Sequence, residues 1–177
     1  MLGASAPSST IRSSNVAPNQ QFPINRPQLL PTTAKLTGND IMCVQVPFNG
    51  SPFKRRKIEL MNIYDEAGIE RNWPDARELW GIEPLRHTRA LLVPWRDPIL
   101  RLANGLYFVF GGDVHSGLPV NKYFERNMYG LHGDVIILKP AWNELPGSGR
   151  VEYINVPEEL LYPATMAGFV ATINNMP

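Results

Sequence analysis

The chain has few of the residue types that usually carry catalysis or bind metals. Its 177 residues include one cysteine, Cys43, and three histidines, His87, His115 and His132. One cysteine leaves no internal disulfide within these residues, which fits a reducing compartment. Cys43 lies in the apolar run IMCVQV with no base beside it in sequence. We therefore interpret it as a small buried side chain rather than a nucleophile.

Charge imbalance and long apolar runs are also missing. The formal net charge is +1, which gives no electrostatic reason to expect a nucleic-acid partner. No apolar run reaches the roughly 18 residues that a transmembrane helix needs. The first residues also lack the apolar core of a secretory signal. We expect an intracellular protein, cytoplasmic or nuclear, with no membrane partner.

Acidic residues are absent from the first part of the chain. Residues 1–36 contain no Asp or Glu and are rich in Ser, Pro, Asn and Gln. Their apolar residues have no helical or strand period, and such a segment buries too little surface to offset the entropy of ordering it. The sequence predicts a disordered tail over residues 1–36 and one domain over residues 37–177.

The remaining sequence contains apolar segments typical of about six strands and three or four short helices. The predicted strands are Ile41–Phe48, Ile58–Tyr64, Thr88–Val93, Leu106–Phe110, Asp134–Leu138 and Val151–Val156. The predicted helices begin near Pro74 and Pro157 and cover Pro119–Tyr129 and Ala164–Ile173. The first two strands are predicted to pair as a hairpin. The runs LYFVF (Leu106–Phe110) and DVIIL (Asp134–Leu138) are predicted to be neighbouring strands in the sheet interior, joined by a helix packed across the sheet. This combination predicts an α+β fold with a single mixed sheet.

A short motif follows the LYFVF strand and resembles the GDVH step of metallophosphatases. It is Gly112-Asp113-Val114-His115, and His132 precedes the next strand. A dinuclear phosphatase site needs more histidines and an Asn-His step, which the sequence lacks. A mononuclear site formed by Asp113, His115 and His132 stays open if the two loops meet. The favoured interpretation is that these residues form two loops, with no cofactor.

Patterns for nucleophilic catalysis or phosphate binding are not found. Ser116 lacks the nucleophile-elbow sequence, and neither GxGxxG nor GxxxxGKS occurs. We expect a non-enzymatic protein-interaction or binding module rather than an enzyme. The alternative is a small metal-dependent hydrolase centred on Asp113, His115 and His132.

Two groups of residues are candidates for binding contacts. The first is the KRRK cluster, which consists of Lys54, Arg55, Arg56 and Lys57. Such a run is typical of a nuclear-import patch or a phosphate contact, and also of a strand edge that resists aggregation. Weak nucleic-acid binding through this cluster is a second alternative.

The second group is a pair of tryptophans, Trp95 and Trp142, in loops that contain proline. Tryptophans in loops often make binding contacts, and they also anchor loops on a core. The predicted binding surface includes the loops at residues 111–119 and 140–149. We expect a protein partner, and the oligomeric state stays open.

The segment Gly117–Lys139 carries a resemblance. Its GLP-x-N step ends at Asn121, and its next strand begins with Gly133-Asp134-Val135. In these features the segment resembles small uncharacterised domains of phage and plasmid genes and short uncharacterised proteins of mushroom-forming fungi. Neither group has a known activity, so the resemblance implies no site and no cofactor.

Overall fold

The computed structural model describes residues 35–64, 70–82, 86–98, 101, 103–128, 130–141 and 151–176. The strands of these residues are β1 Lys35–Val46, β2 Lys54–Tyr64, β3 Glu70–Pro74, β4 Thr88–Trp95, β5 Gly105–Gly112, β6 His132–Pro140 and β7 Tyr153–Ile154. The helices are α1 Ala76–Trp80 and α2 Pro163–Asn174, with 3-10 turns at Lys122–Phe124 and Glu158–Leu161. Most of the predicted tail, residues 1–34, lies outside the described residues.

The strands form one antiparallel sheet in the order β3-β2-β1-β6-β5-β4, and β7 pairs with the end of β6. The prediction of an α+β fold with a mixed sheet and three or four helices is therefore wrong. The described residues are dominated by strands, and of their two helices α1 has only five residues. The helix predicted between LYFVF and DVIIL led to the error, because a strand–helix–strand crossover joins parallel strands.

LYFVF and DVIIL are indeed neighbours in the sheet interior, since Val109 of β5 pairs with Ile137 of β6. The predicted helix Pro119–Tyr129 is not formed; a 3-10 turn over Lys122–Phe124 is the helical structure within its described residues. Antiparallel neighbours need a connection at one end of the sheet only, so no crossover helix is required.

The sheet is strongly curled. Trp73 of β3 and Phe110 of β5 lie four strand spacings apart in the strand order, which is about 19 Å in a flat sheet. Their ring centroids are nevertheless 4.8 Å apart. The concave face therefore encloses a core of its own, formed by Ile41, Cys43, Ile58, Leu60, Phe110, Ile136 and Leu138.

The opposite face of the sheet packs against α2. Tyr107 and Trp95 make edge-to-face ring contacts with Phe169 of this helix at 5.4 and 5.7 Å. Met166 and Ile173 of α2 are fully buried in the same core. None of the helices in the described ranges is long and apolar enough to cross a membrane.

The sheet consists of two three-stranded halves, β3-β2-β1 and β6-β5-β4, which meet along a short seam. At this seam Val44–Val46 of β1 pairs with Val135–Ile137 of β6. Buried Asn121 closes one end of the seam, because its Nδ2 donates to Val46 O at 3.0 Å and to Gly133 O at 2.9 Å. At the other end Val156 N donates to Met42 O at 2.9 Å.

Candidate binding surface

The residues of the predicted metal site serve separate local roles. Asp113 Oδ1 accepts from His115 N at 2.8 Å and lies 3.8 Å from His87 Nδ1. His132 Nδ1 lies 2.8 Å from Leu118 O, and a carbonyl only accepts, so this nitrogen carries the proton. Within the described ranges no group of three His, Cys, Asp or Glu side chains is placed to hold a metal. The structure therefore does not bring Asp113, His115 and His132 together.

The KRRK cluster begins β2, where strand alternation sends successive side chains to opposite faces. Its ion pairs join Arg55 to Glu158, Arg56 to Glu78 at 3.2 Å, and Lys57 to Asp40. Arg55 also donates to Val156 O at 3.2 Å. Most of the cluster's charge is thus compensated by carboxylates and divided between two faces, which leaves no continuous basic groove.

Trp95 and Trp142 are the two tryptophans predicted to make binding contacts. Trp95 is 5% exposed and packs on α2 so closely that a Cβ at Gly168 would lie 2.7 Å from its ring. The structure places Trp95 in the core rather than on the surface. Trp142 and the rest of the predicted loop at 142–149 lie outside the described residues.

Cys43 is buried in the concave core, and its Sγ donates to Arg56 O at 3.2 Å. Burial raises the pKa of this thiol to about 12. The thiolate, which is the reactive form, is therefore strongly disfavoured. This confirms the interpretation of Cys43 as a buried side chain.

An exposed apolar surface lies on the connection between β5 and β6. We call it the apolar corner; it consists of Val114, Val120 and Met128, which are 60%, 47% and 72% exposed. Val120 pairs with His132, and Val114 and His132 both border Gly130. Val114 and Val120 therefore flank the same histidine, with Met128 two positions before the glycine.

The backbone beneath the apolar corner is firmly held. Asn121 N donates to Leu131 O at 3.0 Å, and Gly133 N donates to Pro119 O at 2.7 Å. Asn121 Oδ1 accepts from Tyr123 N at 3.0 Å. The corner also adjoins the start of β4, because Asp113 N donates to His87 O at 2.9 Å.

β4 is an outer strand, and its proline shows which of its backbone groups face outward. Pro94 pairs with Leu106 but has no N–H, so this pair is of the non-hydrogen-bonded kind. Because the two kinds of pair alternate, the N–H and C=O groups of Thr88, Ala90 and Leu92 point away from β5. The bond from Asp113 N to His87 O fits this alternation.

The outer side of β4 has no strand beside it in the part of the chain that the structure describes. The side chains of Thr88, Ala90 and Leu92 are half-buried rather than covered. Arg86 precedes the strand in sequence, Arg96 and Arg101 follow it, and all three side chains are exposed. No ion pair engages these three within the described residues. Residues 86–96 contain no Asp or Glu.

Sequence reasoning predicted β4 but not its place at the edge of the sheet. The available signal was Pro94, since a proline within a strand is tolerated mainly at a sheet edge. The apolar corner was partly included in the predicted binding loop at 111–119, which contains Val114. Comparisons of the chain with protein-family models, curated proteins and solved structures found no match.

Proposed function

We propose that the protein is a non-enzymatic module that binds other proteins. The observation that carries this proposal is the apolar corner, where three apolar side chains are exposed on the connection between β5 and β6. Apolar side chains exposed on a loop that a rigid scaffold positions are common in interaction sites. An intracellular location, cytoplasmic or nuclear, fits the single buried thiol.

Rigidity of the support favours binding at the apolar corner. Exposed side chains on a mobile loop lose conformational entropy on binding, whereas a held backbone reduces this cost. Asn121 holds the connection through bonds to Val46 O, Gly133 O and Tyr123 N. The corner is therefore presented in one geometry to a partner.

The test compares capture of partners from a cell extract by three forms of the protein. In the corner variant Val114→Ser, Val120→Ser and Met128→Gln are combined. In the control variant Tyr64→Ser, Ile154→Ser and Tyr162→Ser remove apolar side chains of similar exposure elsewhere. We expect the corner variant to lose about tenfold or more of each specific partner, since apolar anchors dominate interfaces, and the control to retain them.

The opposite result would end this proposal. If the corner variant captures the same proteins as the wild type, or if the control loses them equally, the corner is not the binding surface. Both variants are first compared with the wild type by circular dichroism and urea denaturation, so that loss of capture is not loss of folding.

Nucleic-acid binding through the KRRK cluster is the second candidate, and the exposed side chain of Lys54 is the feature that favours it. Its test is fluorescence anisotropy with a labelled 20-mer of single-stranded DNA at low and moderate salt. Affinity that falls steeply with salt, and on alanine substitution of Lys54 to Lys57, would support this function. Absence of binding at low salt would reject it.

A further inference from the structure

We propose that the outer edge of β4 binds an extended acidic peptide, which adds to the sheet as a further strand. This inference rests on the proposed function, because it requires that the protein binds other proteins. It adds the class of partner, a chain segment with carboxylate side chains, and a second surface that adjoins the apolar corner at His87.

The first support is the set of free backbone groups on β4. Thr88, Ala90 and Leu92 direct their N–H and C=O groups outward, and no hydrogen bond within the described residues occupies them. The spacing of two residues, about 6.8 Å, is the repeat at which an added antiparallel strand forms its bonds. Peptides that add to a sheet edge gain affinity from such main-chain bonds.

The second support is charge. Exposed Arg86 lies just before β4 and exposed Arg96 just after it, and residues 86–96 contain no acidic side chain. A bound strand would therefore meet a guanidinium at each end. Arg forms strong charge-assisted bonds with carboxylates, so acidic residues flanking an extended core are favoured.

The same charges disfavour a second copy of this chain as the occupant. In an antiparallel pair of β4 strands centred on Ala90, Arg86 faces Pro94 of the other copy and is diagonal to its Arg96. A register shifted by one step places Arg86 directly opposite Arg96. Like charges at these positions destabilise strand pairing.

The test is selection from a display library of random linear 12-residue peptides against the wild-type protein. Two variants serve as comparisons: Ala90→Pro, which removes the central outward N–H, and the double variant Arg86→Glu with Arg96→Glu. Arg126→Glu is the matched control, because Arg126 is an exposed cation on the connection between β5 and β6. Affinities of the enriched peptides are measured by fluorescence anisotropy.

We expect enriched peptides to be net acidic and to slow hydrogen exchange at Thr88, Ala90 and Leu92. Ala90→Pro and the double variant should each weaken binding about tenfold or more, whereas Arg126→Glu should change it less than about twofold. The weakening by the double variant should diminish at high salt, since exposed charges are screened.

Several results would overturn the inference. These are no enrichment, enrichment without acidic bias, unchanged binding by Ala90→Pro in its folded form, or exchange protection elsewhere. A concentration-dependent dimer that Ala90→Pro abolishes would also overturn it, because the occupant would then be a second copy. If Ala90→Pro does not fold, the affinity of the double variant and the pattern of exchange protection still show whether acidic peptides bind the edge of β4.

The two proposals fail separately. If the corner variant loses its cellular partners while no acidic peptide protects β4, the proposed function stands and this inference falls. If acidic peptides protect β4 and the corner variant still captures every partner, the edge binds peptides and the apolar corner is not the interaction surface.

Discussion

β3 and β4 are the two outer strands of the same sheet, each contains one proline, and yet their outer sides differ. On β3 the Asn72 carbonyl accepts from the Tyr153 hydroxyl at 3.4 Å, and Asn72 Nδ2 donates to Val151 O at 2.9 Å. The backbone N–H and C=O of Ala90 on β4 have no such bonds within the described residues. One edge is covered by a segment distant in sequence, and the other is open as far as the described part of the chain extends.

The difference indicates where protection against edge-to-edge association comes from. Proteins cover exposed edges, shorten them, or place proline and charge on them. β3 has five residues and is covered, whereas β4 has eight residues, contains Pro94 and has exposed arginines before and after it in sequence. Proline and arginine oppose pairing with another copy, but they do not exclude a peptide of opposite charge.

Both edges belong to one sheet only while its two halves stay joined at the seam, and Asn121→Ala should weaken that junction. The variant removes three hydrogen bonds at the seam and leaves the buried carbonyls of Val46 and Gly133 without this donor. We expect a loss of about 3 kcal/mol or more in the free energy of unfolding, measured by urea denaturation.

The matched control for the seam is Asn49→Ala. The Asn49 side chain accepts one exposed bond from Ser51 N at 3.0 Å. Its removal should cost about 1 kcal/mol or less. Equal effects of the two variants would show that the seam does not depend on Asn121.

Proline substitutions test the direction of the backbone groups on β4. Leu91→Pro removes an N–H that faces β5 and should destabilise the fold by about 3 kcal/mol, whereas Ala90→Pro removes an outward N–H and should cost about 1 kcal/mol or less. Urea denaturation measures both. Leu91→Ala controls for the lost side chain. A more damaging effect at Ala90 than at Leu91 would reverse the assignment of the open edge.

The free energy of unfolding should fall at alkaline pH, because Cys43 lies buried in the core on the concave face of the sheet. Burial raises the pKa of this thiol from 9.0 to about 12, so the unfolded chain loses its proton first as pH rises. The thiol's stabilisation is complete below pH 9 and is lost between pH 9 and about 12, at about 1.4 kcal/mol per pH unit. Burial also raises the pKa of Tyr107 and of Tyr153, which adds to the loss above pH 10.

Urea denaturation of the wild type and of Cys43→Ala at pH 7.5, 9 and 10 checks this expectation. The variant should be less stable at pH 7.5, and the difference should narrow by about 1 kcal/mol between pH 9 and 10. A difference that stays constant from pH 7.5 to 10 would show that the thiol does not control this pH dependence.

The smallest expected effect is that of Tyr153→Phe, which removes the hydroxyl from the covered edge of β3. Its bond to Asn72 O is long, at 3.4 Å, so we expect a loss of about 0.5 to 1 kcal/mol. Hydrogen exchange in β3 should become faster, as measured by mass spectrometry. Tyr162→Phe is the control, because Tyr162 is exposed; if it accelerates exchange in β3 equally, the hydroxyl of Tyr153 does not cover the edge.

Sequence reasoning found most strands because their apolar residues alternate or run continuously, and it found α1 because Pro74 suits a helix start and Gly81 a helix end. In the structure Asp75 accepts from Arg77 N at 2.9 Å, and Gly81 has a φ of 66°. β3 was missed, since ERNWP is polar and ends in a proline that also suits a helix start.

The helix predicted over 119–129 shows why periodicity alone is not enough. Val120, Tyr123, Phe124 and Met128 have helical spacing, but Phe124 is buried whereas Val120 and Met128 are exposed. Helical spacing predicts a helix only when the shared face is covered. Two members of this set, Val120 and Met128, belong to the apolar corner instead of the core.

The compensation of the KRRK cluster was not accessible from sequence. Two of its ion-pair partners, Glu78 and Glu158, lie more than 20 residues away along the chain. The resemblance based on the GLP-x-N step and Gly133-Asp134-Val135 stays a prediction. Two of its residues do contact each other at the seam, since Asn121 Nδ2 donates to Gly133 O at 2.9 Å.

Amide hydrogen exchange along β4, resolved residue by residue by NMR, tests the open edge most directly. If the edge is open, the amides of Thr88, Ala90 and Leu92 exchange at least about 100-fold faster than those of Leu91 and Val93, which face β5. Exchange at Ala90 and Leu92 as slow as at Leu91 would contradict the account, because their N–H groups would then be bonded.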